Sequence, residues 1–117
     1  MIETIKLNTV EQWEALKSEL APPSELMIFK YSPVCSISSV VEDDLDSWLS
    51  GLPENTNIKC AKLDVIEAKA VSSKIAAELN VKHESPQLIW LTGDLKIKWT
   101  ASHYDITKTQ LDFYLTK

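Results

Sequence analysis

Glycine is nearly missing from this sequence: two stand among 117 residues, with five prolines beside them. So few flexible or chain-breaking positions argue against long disordered stretches. Cysteine is equally scarce, with two, and in a reducing compartment a lone pair is expected as thiols rather than as a structural bridge. The cations form no basic tract and the net charge is −5. A nucleic-acid footprint is therefore absent, and an acidic surface argues against docking on anionic lipid. Long apolar runs are lacking too. Leu26–Phe29 and Leu88–Leu91 are among the longest, far short of the roughly 20 residues that span a bilayer. Met1–Lys6 carries acid early and has no apolar leader core, so no secretory signal and a cytoplasmic location are expected.

What is present suits one compact unit. Apolar residues make up 44% and charged residues 25%, enough for one core in a single domain over residues 1–117. Four tryptophans point to an aromatic-filled interior, with Trp13, Trp48 and Trp90 as core and Trp99 partly exposed.

The chain reads as alternating strands and helices. Glu3–Leu7 suits a short strand. Thr9 and Gln12 match a capping box opening a helix with Val10, Trp13, Leu16 and Leu20 on one face, which Pro22-Pro23 stops. Leu26–Tyr31 reads as a buried strand. A helix from about Cys35 to Ser50 carries Ile37, Val41, Leu45 and Trp48 on one stripe and ends at Gly51. Asn57–Val65 alternates as a strand, and Ala68–Leu79 is a helix that Asn80 ends in a left-handed conformation. Gln87–Leu91 and Leu95–Thr100 form a hairpin across Gly93-Asp94, the second strand with Ile97 and Trp99 inward and its lysines wet. Thr107 and Gln110 form another capping box, opening a helix through Leu115. The order β-α-β-α-β-α-β-β-α is that of an α/β thioredoxin-like fold, a central mixed sheet flanked by helices.

Three features bear on chemistry. Cys35 lies between a buried strand and a helix, where unpaired backbone N–H groups and the positive end of the helix dipole favour thiolate over thiol. Thiolate is the nucleophile of thiol–disulfide exchange. The plain alternative is a small residue filling a strand end. Ser38 stands three positions on, where a dithiol enzyme would hold a second cysteine, so no intramolecular disulfide forms there and the chemistry is monothiol. Its hydroxyl either bonds the thiolate or simply occupies the first helical turn. Ser85-Pro86 precedes a strand. A cis bond there would bring the loop beside Cys35 and let the Ser85 backbone pair with a substrate disulfide; a trans proline would merely open the strand.

These segments together resemble the YtxJ-type monothiol bacilliredoxins: Cys35-Ser36-Ile37-Ser38, Val81-Lys82-His83-Glu84-Ser85-Pro86-Gln87, and Thr100-Ala101-Ser102-His103. The likeness runs from about Met27 to Leu115. It implies a thioredoxin-like thiol enzyme that removes bacillithiol from S-bacillithiolated proteins, with Cys35 as the attacking sulfur and Pro86 as a cis-proline. Two positions depart from the common pattern: Ser36 replaces the usual proline, and Val34 a usually polar residue.

The expected catalytic residues are thus Cys35 and Ser38. Val34, Ser36, Ser85, Pro86 and His103 are expected to meet the substrate. Cys60, inside a strand, reads as a small hydrophobe rather than a resolving thiol. His83 and His103 fall in loops flanking Cys35, either acting on the thiolate or lying in solvent. The His and Cys spacings match no zinc site, so no metal is expected. Glu42, Asp43, Asp44 and Asp46 read as a solvated face whose charge suits the helix dipole, and Asp64 is a candidate for an acid beneath the cysteine. The expected partners are S-thiolated client proteins and a low-molecular-weight thiol, bacillithiol as cosubstrate, with no tightly bound cofactor and a monomer or weak dimer. Two competing readings are a non-catalytic redox sensor or adaptor, which also needs an exposed acidic thiol, and a glutaredoxin-like protein linked to glutathione.

Overall fold

The computed structural model describes residues 2–117. Strand β1 (Glu3–Lys6) leads to helix α1 (Val10–Glu19), then β2 (Glu25–Tyr31), α2 (Ser36–Ser50), β3 (Ile58–Asp64), α3 (Lys69–Leu79), β4 (Gln87–Leu91), β5 (Ile97–Ser102) and α4 (Lys108–Leu115). A single 3₁₀ turn, His103–Asp105, joins β5 to α4. The helix starts follow from local chemistry. Thr9 accepts from the Gln12 N–H while the Gln12 side chain accepts from the Thr9 N–H, a complete capping box. Thr107 caps α4 by accepting from the Gln110 N–H at 3.2 Å. Asn80 ends α3 at φ 55°, whereas Gly51 ends α2 in a right-handed conformation. Gly93 is needed for close approach instead. A Cβ there would stand 2.2 Å from the Pro22 nitrogen, so the turn presses on the proline pair only because no side chain intervenes. No described helix is long and apolar enough to cross a membrane.

The five strands lie in the order β1-β3-β2-β4-β5. β3 runs parallel to β1 and β2, and β4 antiparallel to β2 and β5. β2, at the centre, is covered on both faces, which is why it reads as an unbroken apolar run. Met27 and Phe29 join Val41, Leu45 and Trp48 of α2 and Leu111 of α4 on one face. Leu26 and Ile28 join Trp13 of α1 and Val71 and Ile75 of α3 on the other. Trimming Ile28, Leu45, Ile75 or Leu111, all fully buried, to alanine is expected to cost about 2–5 kcal/mol. Each of the three core indoles finds a carboxylate for its N–H: Trp13 with Glu78, Trp48 with Asp112, Trp90 with Glu25.

Two sequence expectations change. Ile97 is 41% exposed rather than inward. Trp90 pairs with Trp99 but Leu91 with Ile97, so Lys98 is an extra residue and a bulge breaks the alternation. Lys98 instead lies over the Trp90 ring and pairs with Glu25 at 3.0 Å. The acidic stretch of α2 is only partly a solvated face. Asp43 and Asp44 are exposed, but Glu42 and Asp46 grip Lys62 of β3, each at 2.7 Å. None of the four lies in the first turn of α2, so no acid offsets the positive helix end next to Cys35.

Candidate active site

Strand register decides what meets at one end of the sheet. β2 runs toward Cys35. Its penultimate residue, Lys30, pairs with Gln87, the first residue of β4, and Gln87 pairs with Ser102, the last of β5. The Cys35 loop, Ser85-Pro86 and His103 therefore all emerge at the same end. The cleft lined by Leu16, Glu19, Ser24 and Asn57 lies by the start of β2, at the opposite end. Cys35 itself is only partly exposed.

Cys35 is the N-cap of α2. Its sulfur makes no full capping hydrogen bond, yet the backbone N–H groups of Ser38 and then Ile37 draw its pKa below the ordinary 9.0, against a small opposing effect of burial. The Ser38 hydroxyl adds to this. That side chain is 2% exposed, and its Oγ accepts the Ser32 N–H at 3.1 Å, leaving its proton for the sulfur. Ser38 thus braces the loop before the helix, a contact outside both of its expected roles, and its hydroxyl also acts on the thiol. The Cys35 N–H donates to Ser32 O at 3.1 Å and closes the same turn.

Val34 is 84% exposed and Ser36 is exposed, so both neighbours of the sulfur point to solvent. The Ser85–Pro86 peptide bond is cis, as is Pro22–Pro23. Ser85 Oγ is buried and without a partner. The Pro86 carbonyl accepts the His103 N–H at 2.9 Å, and His103 adopts φ 55°. The His103 backbone is thereby tied to the proline loop, while its half-exposed imidazole has Nδ1 4.0 Å from Glu84 of the same loop. His83 turns its Nδ1 to Lys30 Nζ at 3.3 Å. Asp64 Oδ1 accepts the N–H groups of Ile66 and Glu67, which commits that acid to the turn after β3 instead of to the cysteine. Cys60 is fully buried in the sheet and burial pushes its thiol up to about 12. Among the described residues no group of His, Cys, Asp and Glu converges to hold a metal ion.

Residues 5–111 match the family described as monothiol bacilliredoxin BrxC. The chain belongs to the monothiol bacilliredoxin family. Among solved structures this bacilliredoxin resembles a protein described provisionally as an oxidoreductase with a thioredoxin fold. The two are 28% identical with a TM-score of 0.79, over 95% of this chain and 92% of that one. Fasciola hepatica thioredoxin shares the fold at 19% identity and a TM-score of 0.72, over 95% of each chain. The thioredoxin NaTrxh of Nicotiana alata does so at 16% and 0.74, over 98% of this chain and 91% of that one. Family and fold together make the bacilliredoxin a thiol oxidoreductase of the monothiol kind.

One residue at this end of the bacilliredoxin was not foreseen. Lys30 is completely buried. The signal was available: in a strand covered on both faces, a lysine flanked by Phe29 and Tyr31 has no wet side to reach.

Proposed function

We propose that Cys35 removes bacillithiol from S-bacillithiolated proteins. The Cys35 thiolate attacks the bacillithiol sulfur of the mixed disulfide. A Cys35–bacillithiol disulfide forms, the old S–S bond breaks, and the client leaves as a thiolate that takes a proton from water. A second low-molecular-weight thiol then attacks the Cys35 adduct, leaving as its disulfide with bacillithiol and restoring the Cys35 thiolate. Electrons come from that second thiol, so no tightly bound cofactor is required. Cys35 is the nucleophile and Ser38 the donor that steadies its thiolate. Val34, Ser36, Ser85, Pro86 and His103 form the rim that the client meets.

The observation carrying this reading is a lone, accessible, acidified thiol at the start of α2, with Ser38 in the resolving position and the other thiol sealed in the sheet. Exposed Val34, Ile66 and Tyr104 at the same end supply an apolar rim suited to a protein surface.

Mass measurement on a bacillithiolated client, with bacillithiol in excess, tests it. The wild type and Cys60→Ala should strip many equivalents, and Cys35→Ala none. Stripping by Cys35→Ala at the wild-type rate would overturn the mechanism. Capture of a single equivalent without turnover would assign a sensor instead. Equal turnover of a glutathionylated client would favour glutathione linkage.

A further inference from the structure

Lys30 is the one buried cation whose neighbours include no carboxylate partner among the described ion pairs. It follows Leu26 and Ile28 on the α1/α3 face of β2. Its Nζ donates to Ser72 O of α3 at 3.1 Å and meets His83 Nδ1 at 3.3 Å. Ser72 Oγ stands 3.5 Å from the same nitrogen. Beside it in register, buried Gln87 donates through Nε2 to Lys82 O at 2.9 Å. Two consecutive residues of the loop that carries Ser85-Pro86 are thus tethered from below by two buried polar side chains on adjacent strands. An apolar side chain of the same length would fill the Lys30 site without the penalty of burying an ammonium. The lysine's role is therefore in what it holds.

We infer that Lys30 and neutral His83 form a latch that holds the loop 81–86 in place for the client protein. Lys30 is a positioning residue, acting through His83 on the docking edge rather than on the sulfur. The inference rests on the proposed reading for its meaning in catalysis, although the latch is measurable without turnover.

The protonation states follow from the geometry. Lysine carries only donors while charged, so His83 Nδ1 must accept and Nε2 must hold the proton. Burial holds the Lys30 pKa down to about 8, which leaves it mostly charged at neutral pH. His83 is held below 6.5, first by burial and then by the Lys30 ammonium, with Glu84 opposing. The groups facing His83 are Lys30 from β2, the Ser72 hydroxyl from α3, and Glu84 on its own loop; Glu84 in turn approaches His103. When His83 gains a proton it loses the acceptor and places a second positive charge beside the first, so the latch opens as pH falls.

The test compares wild type with Lys30→Met, His83→Leu and His83→Asn, whose Oδ1 reproduces the Nδ1 acceptor. Lys30→Met and His83→Leu should raise KM for a protein mixed disulfide by about tenfold, the scale of one lost hydrogen bond. Their kcat and their Cys35 alkylation rates should stay near wild type, and His83→Asn should restore the wild-type KM. The wild-type KM should rise below the His83 pKa, and in His83→Asn that rise should vanish. Nuclear magnetic resonance supplies the independent arm. The His83 pKa should increase in Lys30→Met, and the amides of residues 82–85 should exchange faster. Should wild type fail to turn over the client, the proposed reaction falls while this arm still decides the latch. An unchanged His83 pKa with unchanged loop exchange in Lys30→Met would overturn it, as would a KM indifferent to all three substitutions.

Discussion

The two cysteines are the same side chain in two surroundings, and the surroundings set their chemistry. Cys35 sits where a strand has just ended and a helix has not yet closed its own hydrogen bonds, so free N–H groups face it and its pKa falls. Cys60 lies within β3, where every backbone donor near it is already spent on the ladder and burial raises its thiol to about 12. Reactivity here is a property of unfinished secondary structure. A thiol is activated at the seam between elements and silenced inside one.

Native alkylation sharpens that contrast most. Near neutral pH, Cys35 should consume a haloacetamide at least about a hundredfold faster than Cys60, since reactivity follows the thiolate fraction and access. Its rate should rise with a midpoint below 9.0, and Cys60 should label only when the chain unfolds. Peptide mapping after a timed pulse reads both, and comparable labelling of the two thiols in the folded protein would break the comparison. A smaller effect comes from making the sealed site polar. Cys60→Ser leaves a hydroxyl without a partner among Met27, Phe29 and Leu45, so denaturant unfolding should show a loss of about 1–3 kcal/mol. The smallest effect is at the open site. Ser38→Ala removes the Ser32 tie and should lower stability by about 1 kcal/mol. It should also move the Cys35 alkylation midpoint upward only slightly, because the backbone N–H of Ser38, which acts most strongly on the sulfur, remains.

The element order was readable because punctuation was unambiguous. Thr9 and Thr107 announce helix starts, the proline pair stops α1, and Asn80 takes the left-handed turn that ends α3. The bulge at Lys98 was not, since alternation of Lys and apolar residues describes a regular ladder and contains no sign of an extra residue. The 3₁₀ turn at His103 has no local sign either, as a left-handed histidine is a demand of tertiary packing rather than of local propensity. At the site, Cys35 and Ser38 were legible from their place between a strand and a helix. The burial of Lys30 was legible from a strand covered on both faces, but its contact with His83 was not, because that depends on which loop folds over it. The same reasoning explains Asp64, whose carboxylate is consumed by two amides of its own turn.

Cys35 is only partly exposed, while Val34 beside it stands 84% in solvent, so a protein surface approaching the sulfur meets an isopropyl group first. Under the proposed reaction, a client would be served when its own thiolated cysteine lies where this apolar edge can reach it. Clients would then be sorted by the accessibility of their damage rather than by their sequence.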